Sequence, residues 1–128
     1  ADTIVVFKNI IIGKPKNRQE ALNTLSRLSG NTHSVFTAIC LKSIKHKINH
    51  IFHDRTEVVF QNLNKKEIEF YIDNYNPFDK AGAYGIQDWS SIFVKNINGC
   101  HDNVVGFPIS KLYQELKKLN INLLDTIY

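Results

Sequence analysis

The chain has 128 residues, of which 43% are hydrophobic and 22% are charged. This length fits one domain, residues 1–128, that buries a core without disulfides or metals. The composition is that of an ordinary globular protein, and the longest apolar run is too short to cross a bilayer, which excludes a disordered or membrane-spanning chain. The net charge of +4 favours an anionic ligand without identifying it.

The start of the chain predicts two short strands and a helix. The β-branched run at residues 3–7 is typical of a buried strand, and Lys8-Asn9 predicts a tight turn into a second strand at residues 10–12. Asn17, with Glu20 three residues later, predicts a helix that closes at Gly30. Because termini fray unless they are held, a strand that begins at once favours a missing N-terminal portion.

The middle of the chain predicts further strands. Residues 32–41 are rich in β-branched and apolar side chains, so both faces of this strand are expected to be buried. Two more strands, 48–52 and 56–61, are expected on either side of His53-Asp54. This order of strands and helices predicts a sheet with helices packed on it.

The last half predicts two helices separated by a hairpin. The first helix begins at Asn64. Asn98-Gly99, between apolar runs at 91–97 and 100–105, predicts a β-hairpin. The final helix begins near Pro108 and is expected to bury an apolar stripe in the core, formed by Ile109, Leu112, Leu116 and Leu119.

Cys40 and Cys100 both lie in apolar, strand-like runs, and we expect buried, reduced thiols. The densest basic patch is expected to be a solvated hairpin tip rather than a nucleic-acid site, since aromatic residues and arginines are few there. Apart from Asp54, cysteine and carboxylate ligands are missing beside its histidines, so a metal site is not expected. The patch comprises Lys42, Lys45, His46, Lys47, His50 and His53.

Residues 79–87, with the sequence DKAGAYGIQ, have a composition that an ordinary core does not need. The glycines allow close approach of a ligand to the backbone, Lys80 can meet an anion, and Gln87 offers both a donor and an acceptor. We predict that this segment, the 79–87 loop, is a binding loop. The alternative is a plain connection in which Asp79 and Lys80 form a weak exposed pair.

Two other segments carry groups suited to a phosphate ligand. Asp2 can hold a divalent metal or accept a proton, although a surface carboxylate is the simpler interpretation. Lys14 precedes a helix N-terminus, a position that favours phosphate, but the P-loop pattern is absent and a plain strand-to-helix turn is the alternative. No nucleophile motif surrounds Ser29, His33, Cys40 or Asp54. Together these features favour metal-assisted attack of water on a phosphate ester or anhydride.

Taken in chain order, these segments resemble the Maf family of nucleoside triphosphate pyrophosphatases. The resemblance covers nearly the whole chain. It implies an α/β, inosine-triphosphatase-like fold with a mixed, twisted sheet and flanking helices. The N-terminal part of this fold is expected to be missing from the sequence. The matching segments are ADTIVV at 1–6, GKPK at 13–16, LSGNTHSV at 28–35, Thr37-Ala38, the 79–87 loop and NVVGFP at 103–108.

The resemblance also implies a reaction, the hydrolysis of a nucleoside triphosphate to the monophosphate and pyrophosphate with Mg²⁺ or Mn²⁺. By position, Asp2 would be the catalytic proton acceptor and metal neighbour. Thr3 and Gln87 would select the base and sugar, and Lys14 and Lys80 would contact phosphate. The loop resembles the branch acting on dTTP and UTP rather than 7-methyl-GTP. A cytoplasmic homodimer is implied, and neither a membrane nor a nucleic acid is the expected partner.

The chain departs from the family pattern in two ways. Family members usually carry glycine after the loop glutamine, whereas this chain has Asp88-Trp89, which is expected to alter the pocket rim. The family's N-terminal phosphate-binding segment, a Ser-rich turn with paired arginines, and a nearby acidic metal-site residue are not in this sequence. Residues 1–128 are therefore expected to be the C-terminal majority of a longer domain. The alternatives are a non-catalytic nucleotide-binding or regulatory remnant and, from the basic patch alone, a nucleic-acid-binding protein.

Overall fold

The computed structural model describes residues 1–124. In this part of the chain, five strands and four α-helices are joined by short connections and two 3₁₀ turns. In chain order the elements are β1 Asp2–Phe7, β2 Ile10–Ile12, α1 Arg18–Leu28, β3 Thr32–Ser43, β4 Ile48–Phe60, α2 Lys65–Asn74, the 3₁₀ turns Ala81–Ala83 and Trp89–Phe93, β5 Val94–Asn98, α3 His101–Val105 and α4 Ile109–Lys118.

The strands form one sheet in the order β2-β1-β3-β4-β5. The α/β arrangement of a sheet with flanking helices is confirmed. The sequence favours a mixed sheet, whereas the four pairings within residues 1–124 are all antiparallel. Among the helices of residues 1–124, none combines the length and the apolar character needed to cross a membrane.

The β1–β2 hairpin turns at Lys8 and Asn9, as predicted. Both residues have positive φ, 49° and 63°, which is the backbone of a type I′ turn. This turn matches the natural twist of the two strands, and asparagine tolerates the left-handed conformation well. The turn therefore fixes β2 beside β1 and sets the direction in which the chain leaves towards residue 13.

The core lies on one face of the sheet. Strand residues on this face pack against buried side chains of α1 and α2, so the apolar stripes of both helices are covered. Removing this apolar surface from water is the main source of stability. The principal members are Val5, Phe7, Val35, Val58 and Phe60 from the sheet, with Ala21, Leu25, Leu28, Ile68, Tyr71 and Ile72 from the helices.

The predicted helix starts are confirmed by their caps. The Asn17 side chain accepts a hydrogen bond from the backbone of Glu20 at 2.9 Å. Asn64 and Glu67 form a reciprocal capping box at the start of α2. Each cap satisfies backbone donors that the helix itself leaves free, a contribution of about 1 kcal/mol.

The prediction that residues 32–41 are buried on both faces is wrong. Side chains of β3 alternate, with His33, Val35 and Thr37 buried and Ala38 and Cys40 exposed. The reason is that, within residues 1–124, the helices of the core cover one face of this sheet. The expectation of two buried thiols is also wrong, because Cys40 is exposed and Cys100 is half-buried at the start of α3.

The two strands expected around His53-Asp54 are a single strand, β4, whose residues 48–59 pair with β3. Asp54 lies opposite Thr37 in this ladder. His53 and Arg55 are exposed and face away from the core. His53 and Arg55 therefore mark the uncovered face of one long strand, whereas half-buried Asp54 shares the face of Thr37, and the cluster lies within a strand and not in a turn.

The hairpin predicted at Asn98-Gly99 is also wrong, because β5 is followed by helix α3. Gly99 has a φ of +134°, and the next backbone amide, of Cys100, donates to Thr56 Oγ1 at 3.1 Å. The glycine is needed because the chain passes directly over β4 at this point. The sequence alone does not distinguish a glycine that is required by a close contact with another strand from a glycine in a hairpin turn.

The expectation that the stripe of α4 belongs to the core is wrong. Ile109 is 57% exposed and Leu112, Leu116 and Leu119 are half-buried. The buried residue of this helix is Glu115, which accepts a hydrogen bond from His50 at 2.8 Å. That hydrogen bond, together with Lys118 and Lys111, keeps the pKa of Glu115 below its ordinary value although burial acts in the opposite direction.

Replacing Gly99 by alanine is expected to lower the free energy of unfolding by about 1–3 kcal/mol, because the positive φ and the contact both become strained. An added Cβ would lie 2.8 Å from Thr56 Oγ1 and 3.0 Å from Thr56 Cα. Urea unfolding measures the loss. Gly13→Ala is the matched control, since nothing lies within 4 Å of its added Cβ. Equal stability of the two variants would contradict this account.

Candidate active site

A cavity of about 530 Å³ opens where the start of β1, the segment at residues 13–16, the 79–87 loop and α3 meet. All five residues that the sequence analysis named for the site line this cavity. They are separated by up to 85 positions in the chain and reach one wall through the sheet and its loops. Its lining is Asp2, Thr3, Val5, Lys14, Val35, Asp79, Lys80, Ala81, Tyr84, Gly85, Ile86, Gln87, Asp88, Val104 and Val105.

The first residues of β1 bring a carboxylate and a hydroxyl to the cavity. Thr3 Oγ1 lies 2.9 Å from Thr37 Oγ1, and Thr37 Oγ1 donates its proton to the backbone oxygen of Asn103 at 3.1 Å. Since Thr37 has one hydroxyl proton, Thr3 must donate to Thr37. The Thr3 oxygen therefore keeps its lone pairs for an incoming donor, and the neighbouring Asp2 side chain is exposed to solvent.

Buried Asn103 supports this wall from behind. Its Nδ2 donates to Val35 O at 3.1 Å and to Thr56 Oγ1 at 3.0 Å. Asn103 is fully buried, so these bonds join α3 to both β3 and β4 away from bulk solvent. The network holds Val104, which follows Asn103, against the cavity. Sequence analysis quoted Asn103 as part of a motif but gave it no role.

The two lysine-bearing segments are held together by their backbones. Gly82 N donates to Gly13 O at 3.3 Å, which joins the 79–87 loop to the segment that carries Lys14. Gly82 has a φ of +73°, and a Cβ there would lie 3.0 Å from Val5 Cγ2, so any other residue would be strained at this position. Lys14 and Lys80 thus reach one cavity from two segments in direct contact.

Tyr84 joins the cavity to a buried histidine. The Tyr84 hydroxyl lies 2.6 Å from His33 Nε2, and both rings pack edge to face against Phe60. Burial lowers the pKa of His33 to about 4 and raises the pKa of Tyr84. The pair is therefore neutral at pH 7 and supports the wall without adding charge.

Asp88 is a cavity residue that sequence analysis treated only as a departure from the family pattern. Its carboxylate accepts hydrogen bonds from Ser90 N, Ser90 Oγ and Tyr71 OH at 2.8, 2.7 and 2.8 Å. Burial alone would raise the pKa of Asp88, but these bonds and nearby Lys80 lower it below its ordinary value. The Asp-x-Ser spacing, which lets the side chain cap the backbone two residues later, was the available signal.

The wall carries the charged groups that a phosphate ligand requires. The ammonium groups of Lys14 and Lys80 supply positive charge, and Asp2 supplies a carboxylate that makes no side-chain hydrogen bond or ion pair within residues 1–124. Mg²⁺ is commonly held by one or two carboxylates together with substrate phosphates. This donor set fits such an ion, although residues 1–124 contain no group of three metal-binding side chains.

The basic patch at the tip of the β3–β4 hairpin does not contribute to this cavity. Lys45, His46 and Lys47 lie in the exposed turn at 44–47, which agrees with the predicted solvated hairpin tip, whereas His53 lies farther along β4 opposite Ala38. His50 is hydrogen-bonded to Glu115, and no metal-binding group of three forms among the histidines of the described residues. The patch and the candidate site are thus separate features.

Comparison with known proteins adds a family to this geometry. A family model described as Maf-like protein matches residues 1–119. A protein of Agathobacter rectalis is 44% identical over 126 residues, and one of Bacillus cereus strain ATCC 14579 is 46% identical over 123 residues. A Bacillus anthracis protein is also 46% identical. All three are named dTTP/UTP pyrophosphatase.

The matched region includes almost all of this chain but not all of its relatives. It covers 96% of this chain in each of the three comparisons. The chain spans 62% of the length of the Agathobacter protein and 63% of that of the two Bacillus proteins. These relatives therefore have a further part to which nothing in residues 1–128 corresponds.

Buried His33 predicts an acid-sensitive fold. The pKa of this histidine is 6.5 in the unfolded chain and about 4 in the folded chain. The neutral histidine therefore contributes fully to the free energy of unfolding above pH 6.5, and this contribution is lost as the pH falls to 4. The loss is about 3 kcal/mol. His33→Gln should be less stable at pH 7 but show a flatter decline between these values. Urea unfolding across this pH range tests this, with exposed His46→Gln as the control; an unchanged slope in His33→Gln would contradict it.

Proposed function

The chain belongs to the Maf-like protein family, and on this basis we propose that it acts in a nucleoside triphosphate pyrophosphatase. The proposed reaction hydrolyses dTTP- or UTP-type nucleotides to the monophosphate and pyrophosphate. The observation that supports it most directly is the meeting of Asp2, Thr3, Lys14, Lys80 and Gln87 around one cavity. The names of the relatives agree with this substrate class.

The cavity suits a ligand with an apolar body and an anionic end. Its volume of about 530 Å³ lies in the range of small-molecule sites. Val35, Val104 and Val105 supply an apolar surface for the base and sugar. The Thr3 hydroxyl and the Gln87 amide provide acceptors and donors for polar edges, and we assign base and sugar selection to them.

In the proposed mechanism, Asp2 is the general base. A water molecule attacks the α-phosphorus, its proton passes to the Asp2 carboxylate, the bond between the α-phosphorus and the bridging oxygen breaks, and pyrophosphate leaves. Asp2 is exposed at the start of β1, so a water molecule has direct access to it. A carboxylate within hydrogen-bond reach of the attacking water is the requirement for this role.

Lys14 and Lys80 are the proposed phosphate contacts. Charge accumulates on the phosphate oxygens as the bond breaks, and fixed ammonium groups stabilise this charge without reorganising. The Gly82–Gly13 hydrogen bond fixes the two segments relative to each other before a ligand arrives. A triphosphate is long enough to meet both groups at once.

A divalent cation, Mg²⁺ or Mn²⁺, completes the proposal. When bound, it would neutralise phosphate charge and polarise the phosphorus–oxygen bonds. Asp2 is the residue of this chain that would hold it, because its oxygens are free of side-chain partners on the cavity wall. Oxygen donors accept both metals, so either is expected to support turnover.

We further propose a cytoplasmic homodimer without a membrane or nucleic-acid partner, following the family resemblance. The proposal is consistent with the position of the basic patch, which lies at a hairpin tip outside the cavity wall. A nucleic-acid complex would show a steep salt dependence. A binding assay that detects no salt-dependent binding to DNA or RNA would agree with the proposal that nucleic acid is not a partner.

A non-catalytic nucleotide-binding module is the second candidate. It is favoured by one observation, that two lysines and an apolar wall line the same cavity and suffice to bind a triphosphate. Such a module would bind a triphosphate through the same lysines but release no pyrophosphate. The two candidates therefore differ in turnover and agree in binding.

Pyrophosphate release from dTTP, UTP, 7-methyl-GTP and ATP tests the reaction. Asp2→Asn is expected to abolish turnover, because the base is lost, and Lys14→Ala or Lys80→Ala to reduce it roughly 10²-fold, as for other preorganised charge contacts. Removal of divalent metal with a chelator should stop the reaction, and Mg²⁺ or Mn²⁺ should restore it. The assay uses the 128-residue chain and the complete product of its gene.

Asp73→Asn is the matched control, since Asp73 forms an exposed pair with Arg18 and does not line the cavity. It removes one carboxylate and should leave turnover unchanged. Full activity in Lys14→Ala and Lys80→Ala would overturn the assigned phosphate contacts. Binding of dTTP without turnover by either protein form would favour the non-catalytic module.

A further inference from the structure

The Asp88 carboxylate lies where α2, the 79–87 loop and the cavity wall meet. One of its oxygens, Oδ1, receives both the amide and the hydroxyl of Ser90. The other, Oδ2, receives the hydroxyl of Tyr71 and lies 3.6 Å from Lys80 Nζ. The carboxylate thus touches three groups of the protein and one cation assigned above to phosphate binding.

These contacts leave little capacity for a ligand. Each carboxylate oxygen has about two acceptor directions; the hydrogen bonds from Ser90 and Tyr71 use three of these four, and the Lys80 ammonium lies beside Oδ2 at 3.6 Å. Ser90 Oγ also lies 2.7 Å from Gly85 O, so its one proton serves one of two acceptors at a time, but the Ser90 amide bond to Asp88 is independent of that choice. Asp88 is therefore suited to orient its neighbours rather than to bind a substrate hydroxyl.

Lys80 is held in a slot on the same wall. Its Nζ donates to Asn76 O at 2.8 Å and lies 3.7 Å from Asp79. The aliphatic stem crosses Gly85, where an added Cβ would lie 2.7 Å from Lys80 Cε. A free lysine side chain samples many rotamers, and this combination of a slot, a carbonyl and two carboxylates restricts them.

The two carboxylates beside Lys80 differ in their attachment. The Asp79 side chain is 68% exposed, and that of Asp88 is 23% exposed. Asp88 is fixed by hydrogen bonds from two elements, whereas no side-chain hydrogen bond of Asp79 is formed in this network. The charge of Asp88 therefore has a defined position relative to the Lys80 ammonium, whereas the exposed Asp79 side chain can change its conformation in solvent.

We propose that Asp88 is a positioning residue that holds the Lys80 ammonium on the cavity wall for the phosphate chain of the substrate. The inference rests on the proposed function for the identity of that substrate. Asp88 acts through Lys80 and does not touch the reacting atoms. Its loss is expected to cost about 10- to 100-fold in kcat/KM, the range associated with misplaced catalytic contacts.

A double-mutant cycle separates positioning from a merely structural role. Asp88→Asn and Asp88→Ser both retain a side chain that caps the Ser90 amide but remove the charge. Each should lower kcat/KM in the wild-type background and have little further effect in Lys80→Ala, because the two residues act as one unit. Additive losses, or no loss in either single variant, would overturn the proposal. Asp73→Asn is the control for removal of an ion-paired carboxylate.

A second measurement does not depend on turnover. Trace acylation of the folded protein with acetic anhydride, followed by mass spectrometry, reports the reactivity of the Lys80 amine relative to exposed Lys65. Both Asp88 variants should raise the Lys80 labelling rate, since the amine loses its fixed carboxylate partner. An unchanged rate would overturn the proposal even if turnover falls. If the wild-type protein hydrolyses no triphosphate, the proposed function fails, and this rate still decides whether Asp88 holds Lys80.

Discussion

The register of β1 against β3 is the constraint on which the candidate site depends. It places Thr3 opposite Thr37, whose hydroxyl holds the backbone oxygen of Asn103 and thereby α3. A slip of one residue would turn Thr3 to the uncovered face of the sheet and disconnect α3 from the wall. The same strand continues through the Lys8-Asn9 turn into β2, which ends just before Gly13. One strand pairing therefore aligns the carboxylate, the hydroxyl and the first lysine.

Local signals in the sequence predicted the elements whose cause is local. The caps at Asn17 and Asn64 and the turn at Lys8-Asn9 depend on residues a few positions apart, and the structure confirms all of them. The errors arose where distant contacts decide. Gly99 passes over β4 instead of turning a hairpin, and His53 and Arg55, on either side of Asp54, lie on the uncovered face of a continuous strand. The apolar stripe of α4 was expected in the core, but helical spacing alone does not show which element, if any, packs against a stripe.

For the candidate site, the sequence predicted the residues that face the cavity but not the contacts that support them. The composition of the 79–87 loop indicated binding without a ligand, and the resemblance supplied candidate residues and roles. What neither could supply was the packing behind the wall, because it joins residues distant in sequence. Asn103 bonds to β3 and β4, and Tyr84 bonds to His33, more than 45 positions away in each case. In the sequence, Asp88 was recognisable only as a departure from the family pattern. Its place on the cavity wall follows from its contacts with Tyr71 and Ser90.

The β3–β4 hairpin extends well beyond the rest of the sheet. β1 pairs with residues 34–38 and β5 with residues 57–60, so residues 39–43 and 48–52 form a ribbon whose strands pair only with each other in the described part of the chain. Two-stranded ribbons are marginally stable alone, so backbone amides in this ribbon should exchange with solvent before those of the central sheet. Among the described residues, those that line the cavity include none from this ribbon. The turn at 44–47 is therefore a suitable point for inserting a fluorescent or affinity label that does not disturb the site.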